Sequence, residues 1–137
     1  MLSAIERMMA LARQTRDYKA FRAAAYGRSD ELFCRITCDS RETVPLTLAL
    51  FYLADGEVER AITYGANFGR DADTVASMVG AIAGALRGVE AIKPEWVEKI
   101  KQYTKRDQPA LAADLAAVAL KKRQAAAEVA RSFATIA

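Results

Sequence analysis

From Ser3 to Tyr26 the apolar side chains Ile5, Met8, Met9, Leu11 and Ala12 return at intervals of three and four. That spacing lines one face of a helix. Ser3 is placed to cap it, Glu6 closes a capping box three residues on, and Gly27 follows as a stop. Asp30 to Cys38 is a short apolar segment that reads equally as a helical turn or an extended piece. The run from Asp39 to Pro45 predicts a helix entry with proline in the first turn, where its missing N–H is harmless. Leu46 to Ala54 continues as an almost wholly apolar helix, a pattern that demands burial on most sides. Asp55-Gly56 ends it, and Glu57 to Tyr64 predicts another short helix. Gly65 to Asp73 then reads as a glycine-bearing loop before an apolar helix over Thr74 to Arg87, stopped by Gly88. Pro94 opens a short helix containing Trp96, Val97 and Ile100, and Pro109 to about Ile136 predicts a long alanine-rich one. There is no strand alternation, internal repeat or flexible linker. The pattern predicts an all-α helical bundle, one domain over 1–137, with a central glycine-rich helix and a long C-terminal helix.

Composition narrows the chemistry more than the fold. A chain of 137 residues suffices for one domain, and a 53% apolar fraction excludes wholesale disorder. Alanine fills 29 positions and histidine none, so Ser-His-Asp triads, Cys-His pairs and HExxH zinc sites are all excluded. Carboxylates, hydroxyls, thiols, amines or a metal held by oxygen remain. The formal charge of +3 is unevenly spread: residues 1–28 carry +4, residues 29–92 carry −5 and residues 93–137 carry +4. The basic residues follow helical patterns without interleaved aromatics, which describes solvated faces and predicts no nucleic-acid partner. The acidic middle suits a hard cation better. Cys34 and Cys38 do not have metal-site spacing and read as reduced thiols of a cytoplasmic protein. Arg7 and Arg13 interrupt any signal-peptide core, and the longest apolar run, Val75 to Leu86, is 12 residues. A bilayer needs about 20, so no membrane partner is expected.

One segment concentrates chemistry: Gly65-Ala66-Asn67-Phe68-Gly69-Arg70-Asp71-Ala72-Asp73-Thr74. Two carboxylates and a hydroxyl fall within four residues where a glycine loop meets a helix start. In an extended loop, residues i and i+2 point to one side, so Asp71 and Asp73 can share a target and Thr74 can add its hydroxyl. Three hard oxygen donors suit Mg²⁺, Mn²⁺ or Ca²⁺ and not zinc. Helix capping is the competing account, and it explains one acid better than two. Behind the loop, Gly80, Gly84 and Gly88 recur every four residues, a stripe that allows a second helix to approach closely.

The stretch from Gly69 through Asp71, Asp73 and Thr74 to Gly88 resembles the C-terminal signature of the ADP-ribosylglycohydrolases, in which a Gly-x-Asp-x-Asp-Thr loop precedes a Gly-Ala-Ile-x-Gly-Ala helix. Glu42-Thr43-Val44-Pro45 resembles the family's upstream Glu-x-x-Pro element, and Ala91-Ile92-Lys93-Pro94-Glu95-Trp96 its downstream Ile-Pro-x-x-Trp element. The likeness runs over about 39–100, with 1–38 and 101–137 as flanking helices. It implies the all-α fold of that family and a binuclear Mg²⁺ or Mn²⁺ centre. It also implies hydrolysis of the glycosidic bond between ADP-ribose and an amino-acid side chain or small acceptor. By motif, Asp71, Asp73 and Thr74 would be metal ligands, and Gly65, Asn67 and Gly69 would let the backbone approach ribose or phosphate. The family's second cluster, of Thr-x-Asp-Asp-Thr type, and its catalytic Glu have no counterpart here; no Asp-Asp pair occurs in the chain. The resemblance therefore predicts a C-terminal half of the site, with the general base and remaining ligands supplied by a complementary N-terminal half. The C-terminal stripe Leu111, Leu115, Val118, Val129 and Phe133 calls for a partner surface on that half or in a homo-oligomer. The alternative of another class is a non-catalytic helical scaffold that retains the loop.

Overall fold

In the computed structural model, which describes residues 1–134, the predicted N-terminal helix is two helices, α1 (Leu2–Thr15) and α2 (Tyr18–Gly27). Arg16 turns into the left-handed region at φ 55°, and the Asp17 side chain accepts from the Ala20 N–H at 2.8 Å to start a new helix. A local cap thus starts a second helix within the polar run Arg13 to Asp17. The Ser3 capping box does not form. α1 begins one residue earlier, and the Met1 carbonyl accepts from Ala4 and Ile5 at 3.0 and 3.1 Å. The ambiguous segment after it resolves into one turn, α3 (Ser29–Leu32), followed by non-helical backbone as far as Asp39.

α4 (Ser40–Leu53) starts as predicted, with the Asp39 carboxylate accepting from the Arg41 N–H at 2.8 Å. Pro45, however, lies in the second turn and not the first, so the Arg41 carbonyl loses its usual helical donor. The helix continues through that loss on a buried face: Glu42, Thr43, Pro45, Leu46, Thr47, Ala49 and Leu50 are all inside. α5 (Val58–Phe68) is capped by Glu57, whose carboxylate accepts from Glu59 and Arg60, and runs four residues beyond the predicted end. Its buried face is Val58, Ala61, Gly65 and Phe68, a helical spacing in which glycine stands where an apolar residue would be. α6 (Ala72–Arg87) begins two residues early because the Asp71 carbonyl already accepts from Val75 at 3.0 Å. The predicted nine-residue loop therefore shrinks to Gly69-Arg70-Asp71.

α5 and α6 form the closest helix pair. A Cβ placed on Gly65 would meet the Ala76 backbone at 2.8 Å, and one on Gly80 would meet Ile62 at 3.0 Å. The two contacts run in opposite chain senses, so the pair is an antiparallel hairpin. Gly84 and Gly88 have nothing within 4 Å, so the close approach runs through Gly65 of α5 and Gly80, not along the whole predicted stripe. Gly88 instead ends α6 at φ 80°. α4 packs against this hairpin and α1 against α4, around a core that includes Met8, Leu11, Phe21, Leu50, Phe68 and Val79. At its far end Arg87 donates to the carbonyls of Asp55 (2.8 Å) and Gly56 (3.3 Å). A single 3₁₀ turn (Val89–Ala91) follows.

These elements make one compact unit, Met1–Lys93, and a second unit begins at Pro94. It consists of α7 (Pro94–Thr104) and α8 (Gln108–Ala134), neither of which buries a residue. The predicted end of α8 at Ile136 lies outside the described residues. Among the described residues there is no strand, and no helix is long and apolar enough to cross a membrane.

Candidate functional site

The three-residue junction between α5 and α6 is held from two sides. Gly69 sits at φ 93°, where an L side chain is strained. Its missing Cβ also leaves room for the Tyr26 hydroxyl, 2.5 Å from where that atom would be. The Phe68 carbonyl, orphaned at the end of α5, accepts from Arg22 Nε at 2.9 Å and from the Tyr26 hydroxyl at 3.1 Å. Arg22 also lies over the Tyr26 ring, 4.8 Å from its centroid. Two side chains of α2 thus replace the helix's missing donors.

On the other side stands Arg70, itself in the left-handed region at φ 63°. Its guanidinium grips Glu42 of α4 through two bonds, Nε to Oε1 at 2.7 Å and an NH₂ group to Oε2 at 2.8 Å. The same group donates to the Cys34 carbonyl at 2.5 Å, and the guanidinium lies 4.8 Å from the Phe33 ring centroid. Glu42 is 0% exposed and also accepts from the Cys34 N–H at 2.6 Å. A carboxylate buried this deeply is tolerated because it is paired and bonded at both oxygens. Bonding to Glu42 in turn pushes the Arg70 guanidinium above its ordinary range.

Asp71 follows immediately as the N-cap residue of α6, at φ −87° and ψ 61°. Its carboxylate caps nothing: no backbone N–H of the first turn bonds to it. Its Oδ2 is buried without a hydrogen-bond partner. The competing account of this acid, helix capping, therefore fails for Asp71. Among the described residues the other such atom is the Tyr18 hydroxyl, in a ring stacked on Tyr64 at 4.2 Å. Burial pushes the Tyr18 pKa up. A buried carboxylate oxygen with no donor facing it is what a hard cation would satisfy.

Asp73 and Thr74 lie exposed in the first turn of α6. Asp73 is thus helical, not the extended partner of Asp71 that the longer loop predicted. Their oxygens, with Asp71, make a donor set fit for Mg²⁺ or Mn²⁺ in type, though not a full shell. No group of three or more His, Cys, Asp or Glu gathers among the described residues. Gly69 joins these three at the junction. Gly65 and Asn67 lie within α5: Gly65 is buried against Ala76, and Asn67 is exposed with its amide donating to the Thr63 carbonyl at 2.9 Å. Sequence reading singled out neither Arg70 nor the pairing of Glu42, since 28 residues separate the two. The available signal was a charged residue in a helix face otherwise filled by apolar side chains.

An all-α unit with a Gly-x-Asp-x-Asp-Thr junction at the head of an apolar helix that packs on one face defines the class. The profile of the ADP-ribosylglycohydrolase family matches residues 1–126, and the chain belongs to that family. It is 47% identical over 53 residues to the uncharacterised protein YegU of Escherichia coli (strain K12), covering 39% of this chain and 16% of that one. It is 55% identical over 40 residues to the ADP-ribosylarginine hydrolase Tri1 of Pseudomonas putida (strain GB-1), covering 29% and 11%. It is 30% identical over 77 residues to the ADP-ribosylhydrolase ARH3 of Bos taurus, covering 56% and 19%. The matched stretches thus span less than a fifth of each relative's own length. No solved structure gives a significant match.

Proposed function

We propose that this chain supplies the Gly-x-Asp-x-Asp-Thr half of an active site that hydrolyses the bond between ADP-ribose and an amino-acid side chain or small acceptor. The observation that carries the reading is the buried, unpartnered Oδ2 of Asp71 at the head of α6. Membership of the family and the names of two relatives, an ADP-ribosylarginine hydrolase and an ADP-ribosylhydrolase, support the reaction class. Asp71 and Asp73 would hold Mg²⁺ or Mn²⁺ through carboxylate oxygens, and Thr74 through its hydroxyl. When bound, such an ion supplies positive charge that polarises the ribose and makes water a better nucleophile. Gly69, half-buried beside the Tyr26 hydroxyl, would bring junction backbone near ribose or phosphate. Remaining ligands and the general base come, in this reading, from a complementary segment bearing an Asp-Asp motif, or from an oligomeric partner. The free thiols Cys34 and Cys38 suit a cytoplasmic setting.

Calorimetric titration of Mn²⁺ into the wild-type chain and into the Asp71→Ala/Asp73→Ala variant tests the metal site. Saturable binding in the first and none in the second is expected. Equal behaviour of the two would instead favour a helical scaffold that keeps the loop without its ion. Hydrolysis of ADP-ribosylarginine should appear only once the complementary segment is added. Full turnover by the 137-residue chain alone would refute the divided site.

A further inference from the structure

We infer that Arg70 is a positioning residue: anchored on Glu42 and on the Cys34 carbonyl, it fixes the α5–α6 junction so that the Asp71 carboxylate is presented unpaired. The inference rests on the proposed metal reading of Asp71 and adds to it the device that holds this ligand. A left-handed backbone at φ 63° suits glycine, and for arginine it needs a compensating hold. That hold is visible. Two bonds to Glu42, one to Cys34 and the Phe33 ring together restrain Nε, one terminal NH₂ group and the plane of the guanidinium. Glu42 is in turn fixed by the Cys34 N–H and by complete burial in α4. The neighbouring Gly69 is tied through Phe68 to Arg22 and Tyr26 of α2. Asp71 thus hangs between two anchored residues and the first turn of α6, and its orientation needs no hydrogen bond of its own. Groups that orient a metal ligand in this way commonly alter metal affinity by about 10- to 100-fold when removed.

Glycine is the substitution that separates anchoring from mere backbone geometry. Arg70→Gly relieves the left-handed conformation but removes the anchor; Glu42→Gln/Arg70→Gly also removes the buried charge left behind. Amide relaxation of Gly69 to Asp73 in metal-free protein and Mn²⁺ titration are read in parallel. Wild-type order parameters should match those of α6, near ~0.85, and fall below ~0.6 in both variants. Mn²⁺ affinity should fall at least about 10-fold with them. Leu50→Ala, a core change remote in sequence from the junction, serves as the control for general destabilisation. Junction order unchanged in both glycine variants would overturn the inference, as would an equal loss of order in Leu50→Ala. If wild type takes up no Mn²⁺ but the glycine variants still lose junction order, the metal reading fails and the positioning role stands.

Discussion

A carboxylate oxygen shut away from water and bonded to nothing is destabilising, and Asp71 carries one. An unmet buried acceptor costs about 1–3 kcal/mol. Against that, a negative charge at the start of α6 gains only about 0.3–1 kcal/mol from the helix dipole. The first effect outweighs the second, so Asp71→Ala should raise the stability of the metal-free chain by about 1 kcal/mol. Urea unfolding of both proteins in chelator checks this, and a less stable variant would mean that the oxygen finds a donor in solution. On the proposed metal reading of Asp71, the order should reverse in the presence of Mn²⁺, because the wild type alone would gain from ligand binding. This is the expected signature of a residue kept for chemistry and not for folding. At this scale the sequence made the acids legible, since Asp71, Asp73 and Thr74 crowd into one motif. It did not make Arg70 legible. The pair it forms with Glu42 is a tertiary contact, and nothing local to either residue announces the other.

Helices are where local signals and packing compete, and α5 shows packing prevailing. Gly65 reads as a loop residue, yet it is helical because only a hydrogen atom fits against Ala76. Alanine is the better helix former by about 1 kcal/mol, but its methyl group at 2.8 Å from backbone cannot be accommodated without parting α5 from α6. Overpacking of this kind costs about 1–3 kcal/mol, so Gly65→Ala should be destabilising on balance. Gly84→Ala, with nothing within 4 Å, should instead stabilise by up to about 1 kcal/mol. Thermal melts of the two variants should move in opposite directions. At α4 a local signal prevails and is testable by pH. Hydrogen bonds from Arg41 hold Asp39 at a pKa of about 2, below its ordinary 3.8. A depressed acid favours the folded state once ionised, so the contribution is complete above about pH 5 and lost as pH falls from about 4 to about 2. Asp39→Asn keeps a capping oxygen but cannot titrate. The difference between wild-type and variant melting temperatures should therefore narrow across that window and stay flat above it. Caps such as Asp39 and Gly88 were readable because each acts within a few residues. The break at Arg16-Asp17 was missed, although five polar residues from Arg13 to Asp17 interrupt the apolar period there, because a polar run also suits a solvated helix face.

At the scale of the whole chain, burial divides the molecule more sharply than sequence does. Leu46, Ala49 and Leu50 of α4 and Val75, Val79 and Ala83 of α6 are inside, whereas α7 and α8 bury none of their apolar residues, and Leu111, Leu115, Val118, Val129 and Phe133 are all exposed. α8 is 27 residues long with 11 alanines, so its own propensity favours helix. Propensity alone leaves it in a fast, fraying helix–coil equilibrium and not in a cooperative fold, since most helical stability in proteins comes from packing. Amide exchange should report this directly. At low protein concentration the amides of Ala112 to Ala130 should exchange at least about 100-fold faster than those of Leu46 to Leu50 or Val79 to Ala83, whose opening approaches global unfolding. Protection of α8 equal to that of α4 in dilute solution would contradict its exposure. Protection that grows with protein concentration would show the apolar stripe covered by another copy. Protection gained only on adding a segment that bears the Asp-Asp motif would place that stripe against the added segment, as the proposed divided site requires.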